Sequence, residues 1–162
     1  MSRKLLLLSI LIGSTISSLK ATAPEAIGQT TSLEGVRYNI TEYRALKSFG
    51  GIAFGIGALR PPSGGVYVRV CFSMTNYNGD AKHVDFSIFR LVDTKSGVHK
   101  PIPFFETGEN GGASAEHGMT AKGSVLFEVS ESDIGEPLTF FADDGGTSSD
   151  RLVLPAPQVS DH

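Results

Sequence analysis

Val66-Tyr67-Val68-Arg69-Val70-Cys71-Phe72-Ser73-Met74-Thr75 decides the fold. Val66, Val68, Val70, Phe72 and Met74 share one parity, while Tyr67, Arg69, Cys71, Ser73 and Thr75 share the other. A period of two over ten residues is the signature of a β-strand with one buried face, so this stretch is the core strand. Asn76-Tyr77-Asn78-Gly79-Asp80 then supplies the turn residues that end it.

Upstream, Val36, Tyr38 and Ile40 alternate with Arg37, Asn39 and Thr41 to give a first strand after Gly35. Downstream, Val84 to Val92 reads as a further strand whose phase shifts. Val84, Phe86 and Ile88 share one parity and Phe89 and Leu91 the other, which calls for a bulge or a switch of partner sheet. Asp93 to Gly97 forms a hairpin loop into Val98 to Ile102, which Pro101 marks as edge-like. Phe104 to Ala121 reads as a long polar, Gly-rich connection. Ser124 to Val129 follows with Val125, Phe127 and Val129 inward, then a single helical turn over Ser130 to Ile134 and strands at Leu138 to Ala142 and Arg151 to Leu154. Ala45 to Gly65 has room for one short strand, with Gly50 to Leu59 mixing apolar residues and four glycines before Pro61-Pro62. The sum is an all-β chain, an immunoglobulin-like antiparallel β-sandwich of about seven strands preceded by an N-terminal signal segment.

With 162 residues the chain has room for one core, and 19 Gly and 8 Pro fit a fold of many turns. The formal net charge is −3, but the first 23 residues carry Arg3, Lys4 and Lys20 and no acid. The remainder has 11 bases against 17 acids, a balance opposite to that of a nucleic-acid binder. Cys71 is the sole cysteine, so no internal disulfide can brace the fold.

The N-terminus has the layout of a secretory signal, with Arg3-Lys4 before the apolar runs Leu5 to Leu8 and Ile10 to Ile12. The apolar stretch is too short for a membrane span of roughly 20 residues. Ala21-Thr22-Ala23 has the composition of a cleavage site, although Pro24 follows it, and a cut after Ala21 or near Gly28 is also compatible. The resulting division is 1–23 signal peptide, 24–33 exposed lead-in, 34–155 β-sandwich and 156–162 frayed tail. No cysteine stands where lipid attachment would need one. The expectation is an exported protein, periplasmic or secreted, with no stable membrane span after cleavage.

Together these pieces make the chain similar to the domain of unknown function DUF4352, an immunoglobulin-like sandwich of exported bacterial proteins, within the superfamily of the immunoprotective extracellular antigens. The residues that carry the resemblance are Tyr67-Val68-Arg69-Val70 leading to Thr75-Asn76-Tyr77-Asn78-Gly79, Phe89-Arg90-Leu91-Val92-Asp93 with Gly97, and Gly123 to Val129 before Leu138-Thr139-Phe140. It spans roughly residues 34 to 142. An aromatic common after the hairpin glycine is replaced by Val98-His99-Lys100. The resemblance implies a fold and an extracytoplasmic setting, and it brings no catalytic residues.

His83, His99, His117 and His162 lack metal-ligand spacing and read as solvated loop histidines. Asp143-Asp144-Gly145-Gly146 with Asp150 lacks the ligand alternation of a calcium loop and reads as a solvated turn. Cys71 lies within a strand, away from the exposed elbows where thiolates are favoured, and reads as a half-buried packing residue. Gly55-Ile56-Gly57 begins like a phosphate loop, but Arg60 stands where the third glycine belongs. Asn39-Ile40-Thr41 is a glycosylation sequon, relevant only in a eukaryotic secretory pathway. No catalytic, metal or cofactor-binding residue is assigned. Ile52, Phe54, Ile56 and Leu59, set among glycines, either cover one end of the core or form a partner-contact surface. The functional expectation is a non-catalytic binding or structural module that meets a protein or surface component. The alternative is an envelope hydrolase or metal-dependent enzyme whose site is assembled from scattered residues.

Overall fold

A computed structural model describes residues 28–51, 56–102 and 112–160. The signal segment and His162 lie outside these residues, as do Ile52 and Phe54.

The principal sheet is built on β2 (Val36–Leu46), β5 (Gly65–Asn76) and β11 (Thr120–Ser130), all antiparallel, with β5 in the centre. β1 (Thr30–Leu33) extends one edge and β9 (Pro101–Ile102) the other, while β14 (Val159–Ser160) adds to β2 in parallel. The facing sheet runs in the order β13 (Leu152–Leu154), β12 (Leu138–Ala142), β7 (Phe89–Val92), β8 (Val98–His99). β6 (Lys82–Asp85) pairs with β10 (Gly112–Ala115), and β3 (Phe49–Gly51) with β4 (Ile56–Leu59). The molecule is thus the antiparallel β-sandwich expected from the alternation.

The core lies where the inner rows of the two sheets meet. Val66, Val68, Val70, Phe72 and Met74 are all buried, as the alternation predicts, together with Tyr38, Ile40, Val125, Phe127 and Val129. Phe72 and Phe140 flank Phe89 at centroid distances of 4.8 and 5.2 Å, so an aromatic column bridges the sheets. Gly123 makes room for it, since a β-carbon there would sit 2.5 Å from Phe86 Cζ and 2.9 Å from the Phe72 ring.

Several expectations need correction. Val84 to Val92 is two strands in two different sheets, joined by a 3-10 turn at Phe86–Ile88 that Asp85 caps by accepting a hydrogen bond from the Ser87 amide at 2.8 Å. The parity shift therefore marks the sheet switch. The lead-in 24–33 is not an exposed segment throughout, because β1 pairs with β2 and buries Thr31 and Leu33. The tail 156–162 is not frayed over Val159–Ser160, where β14 pairs with Ala45 and Leu46. Phe104 to Ala121 contains β10 and the start of β11. The small side chains of Ala113 and Ala115 are buried against the core but give little periodic signal in sequence. Ala45 to Gly65 holds two short strands, and the described residues form fourteen strands where about seven were expected. Crossings between sheets, such as the one at Lys100 between β8 and β9, divide single apolar runs into pairs of short strands.

Candidate functional site

Three turns meet at one end of the sandwich: the β1–β2 turn, the turn after β5, and the turn before β11. The first is tight, with Glu34 at φ 48° and Gly35 at φ 74°, a left-handed conformation suited to glycine. A β-carbon on Gly35 would also meet Asn78 Oδ1 at 2.3 Å.

Asn76 ties the turn after β5 to the turn before β11, and its neighbours Tyr77 and Asn78 hold the β1–β2 turn. The Asn76 side chain is fully buried, and Nδ2 donates to the carbonyls of Asp80 at 2.8 Å and Ala115 at 2.9 Å. Oδ1 accepts from the Asn78 amide at 2.8 Å, so every polar group of this amide side chain is engaged. Around it, the Tyr77 amide donates to Gly35 O at 2.9 Å, the Gly118 amide to Asn76 O at 2.7 Å, and Asn78 Nδ2 to Glu34 O at 2.8 Å. His117 Nδ1 donates to Asn78 O at 2.6 Å, and Lys82 pairs with Glu34 at 2.8 Å.

On this network stand two large side chains open to solvent, Tyr77 at 53% exposure and Met119 at 60%. The Arg37 guanidinium carbon lies 5.0 Å from the Tyr77 ring centroid, a cation–π distance. The sequence marked this region only as a turn. Its signal as a site was the aromatic inside the Asn-Tyr-Asn-Gly string.

The β7–β8 hairpin is organised by Asp93, 8% exposed. Its Oδ1 accepts from the amides of Lys95 at 2.8 Å and Gly97 at 2.9 Å, and His99 Nε2 lies 2.9 Å from Oδ2. Burial alone would raise this carboxyl, but the hydrogen bonds from His99, Gly97 and Lys95 outweigh it and hold Asp93 below the ordinary carboxylate range. His99 is therefore not the solvated loop histidine expected, since its ring is tucked against a buried carboxylate.

The other sequence candidates fall apart spatially. His83 Nδ1 meets Ser114 Oγ at 2.9 Å on the β6–β10 ribbon. Asp144 Oδ1 accepts from the amides of Gly146 and Thr147 at 2.9 and 2.7 Å, which holds its carboxyl low, so this loop is a self-satisfied turn. Cys71 is half-buried on the outer face of β5, opposite Ser124. Among the described residues no group of three or more His, Cys, Asp or Glu is placed to hold a metal. Burial pushes the core phenols up, Tyr38 to about 12 through desolvation and then Glu34, and Tyr43 beyond that through desolvation. Of the four partner-contact candidates, Ile52 and Phe54 lie outside the described residues, Ile56 falls on β4, and Leu59 ends β4 at 39% exposure. No described helix is long and apolar enough to cross a membrane.

No family model matches the chain, and no curated protein matches it. Solved structures do resemble it. A conserved hypothetical protein of Bacillus anthracis superposes with a TM-score of 0.59 at 10% identity, over 82% of this chain and 96% of that one. An uncharacterised β-sandwich protein of Clostridium difficile gives 0.52 at 11% identity, over 80% and 90%. A candidate lipoprotein of Bacillus subtilis gives 0.57 at 13% identity over 78% of this chain, which spans only 38% of that protein. At these identities the likeness establishes the β-sandwich fold.

Proposed function

We propose that the chain is an exported, non-catalytic binding module of DUF4352 type, which meets a protein of the cell envelope or extracellular space through the loop end organised by Asn76. The carrying observation is the pairing of rigidity with exposed apolar surface: Tyr77 and Met119 stand in solvent on turns fixed by buried hydrogen bonds. Tyr, Met and Arg are enriched in protein interfaces, and a preorganised backbone lowers the ordering cost of association. The lipoprotein-like neighbour and the leader support an envelope setting. The side chains an enzyme would recruit, Asp93, His99, His117 and Asp144, are engaged in turn-stabilising hydrogen bonds, which favours binding over the hydrolase alternative.

The test is capture of envelope proteins by the purified chain, compared with Tyr77→Ser and Met119→Ser. Each variant should keep its thermal stability within about 1 kcal/mol, because both side chains are exposed, and lose capture at least tenfold. Capture unchanged in both variants overturns the loop-end assignment. Leu59, exposed on β4, is a second contact region by the same criterion, and Leu59→Ser tests it separately.

A further inference from the structure

The outer face of the principal sheet differs in chemistry from the loop end. Strand register places Ser32, Arg37, Thr75 and Thr120 in one cross-strand row, and Thr30, Asn39, Ser73 and Lys122 in the next. Thr30, Ser32, Arg37, Thr120 and Lys122 are exposed, and Asn39, Ser73 and Thr75 are half-buried. The two rows contain six hydroxyl or amide side chains, two cations, no acid and no apolar residue. Farther along the face the character changes, with Glu42 paired to Arg44 at 2.9 Å and then a buried cluster of Leu46, Phe49, Tyr67 and Leu126. The polar platform is therefore the open half of this face.

We propose that this platform binds an acidic glycan, a polysaccharide bearing carboxylate or phosphate groups. Hydroxyls and amides both donate and accept, which matches a ring carrying several hydroxyls. Thr75 and Thr120 already orient one another at 2.8 Å. A protein partner would want apolar anchors at the centre of its footprint, and these rows offer none. Neither Arg37 nor Lys122 has an ion-pair partner among the described residues, and Arg37 is held in place over the Tyr77 ring. Arg37 and Lys122 stand at backbone positions two strand spacings and one row apart, roughly 10 Å across and 7 Å along the sheet, and Arg37 is turned to the Tyr77 ring, so they present two separate charges. They fit charges spaced along a polymer. The two rows hold hydroxyls and amides that match sugar hydroxyls and no aromatic ring on which the bases of a single strand would stack.

The inference rests on the binding-module reading and shares only the Arg37–Tyr77 contact with the loop end, so Lys122, Asn39 and Ser73 on one side and Met119 on the other let the two fail separately. The purified chain is titrated with polygalacturonate, with dextran as a neutral glycan and with single-stranded DNA. Polygalacturonate should bind, dextran and DNA at least tenfold more weakly, and raising salt to about 1 M should cut the affinity by shortening the screening length to about 3 Å. Arg37→Gln with Lys122→Gln should reduce polygalacturonate binding tenfold or more with the fold retained, since both side chains are exposed and Arg37 gives up only its contact with the Tyr77 ring. Ser73→Ala with Asn39→Ala should weaken it at constant salt. Met119→Ser, which alters only the loop end, should bind polygalacturonate normally. Equal binding of dextran or DNA, insensitivity to the Arg37/Lys122 pair, or protection of this face by self-association overturns the proposal and leaves the loop-end capture test standing.

Discussion

Asp93 and His99 face each other across the β7–β8 hairpin, carboxylate Oδ2 to imidazole Nε2 at 2.9 Å, on opposite sides of a loop whose amides also point at the carboxylate. The arrangement makes the hairpin's stability depend on Asp93 being ionised. Its pKa in the fold lies below the ordinary value, so the contribution is complete above the unfolded carboxyl's pKa of about 3.9 and disappears as pH falls through the folded value. Asp93→Asn should cost roughly 2 kcal/mol near neutrality, as buried donors lose a charged acceptor. Chemical denaturation of both proteins from pH 7 downward should show the gap closing below about pH 4. A gap that stays constant with pH would mean the carboxylate's charge contributes nothing.

Asn76 gives a prediction of a different kind, since it is neutral and fully buried. Asn76→Ala leaves the Ala115 carbonyl and the Asn78 amide without their partner, at a cost of about 2 kcal/mol. Asn76→Asp should be worse, because a carboxylate would face the carbonyls of Asp80 and Ala115 where two N–H groups now donate. Hydrogen exchange at Asn78 should accelerate in both variants before global unfolding does. Retained protection there would mean that backbone bonds alone hold the loop end.

At Gly123 the limit is steric. Ala would place a methyl 2.5 Å from Phe86 Cζ, and both Phe86 and Phe72 are held by the aromatic column. Gly123→Ala should destabilise by about 1–3 kcal/mol through overpacking, read as a lower denaturant midpoint at unchanged slope. A neutral outcome would show that the Phe86 end of the column is free to move.

How legible the fold was depended on how each residue encodes its place. The inward row of β5 could be read directly, because five large apolar side chains in alternation leave only one facing. Val70→Asp should accordingly cost several kcal/mol, against about 1 for Arg69→Ala on the outer face. β10 was not legible, since Gly112, Ala113 and Ala115 are small and their burial is imposed by β6 and the core. The phase shift at Phe86 to Phe89 announced a change of partner, but the 3-10 turn that makes it depends on the Asp85 cap. The site was least legible. Tyr77 reads as a turn residue until Asn76 is seen to tie two turns beneath it while Asn78 and the Tyr77 amide hold the third. Likewise the polar platform exists only once register aligns β1, β2, β5 and β11.

β1 carries the last prediction, because its role in the structure is larger than its sequence indicates. Leu33 and Thr31 point into the sandwich, and the Thr31 hydroxyl donates to Asp150 O at 2.8 Å beside the opposite sheet. Gln29 Nε2 donates to Val153 O on β13 at 3.1 Å, so this short strand stitches the two sheets at their open edge. A chain beginning at Glu34 would lose the burial of Leu33, about 1.5–3 kcal/mol, as well as the Thr31 bond and the ladder to β2. It should melt well below a chain beginning at Gly28, and Tyr38 and Ile40 amides should exchange faster once the β2 edge is uncovered. Equal melting of the two chains would show that β1 lies on the sandwich without supporting it.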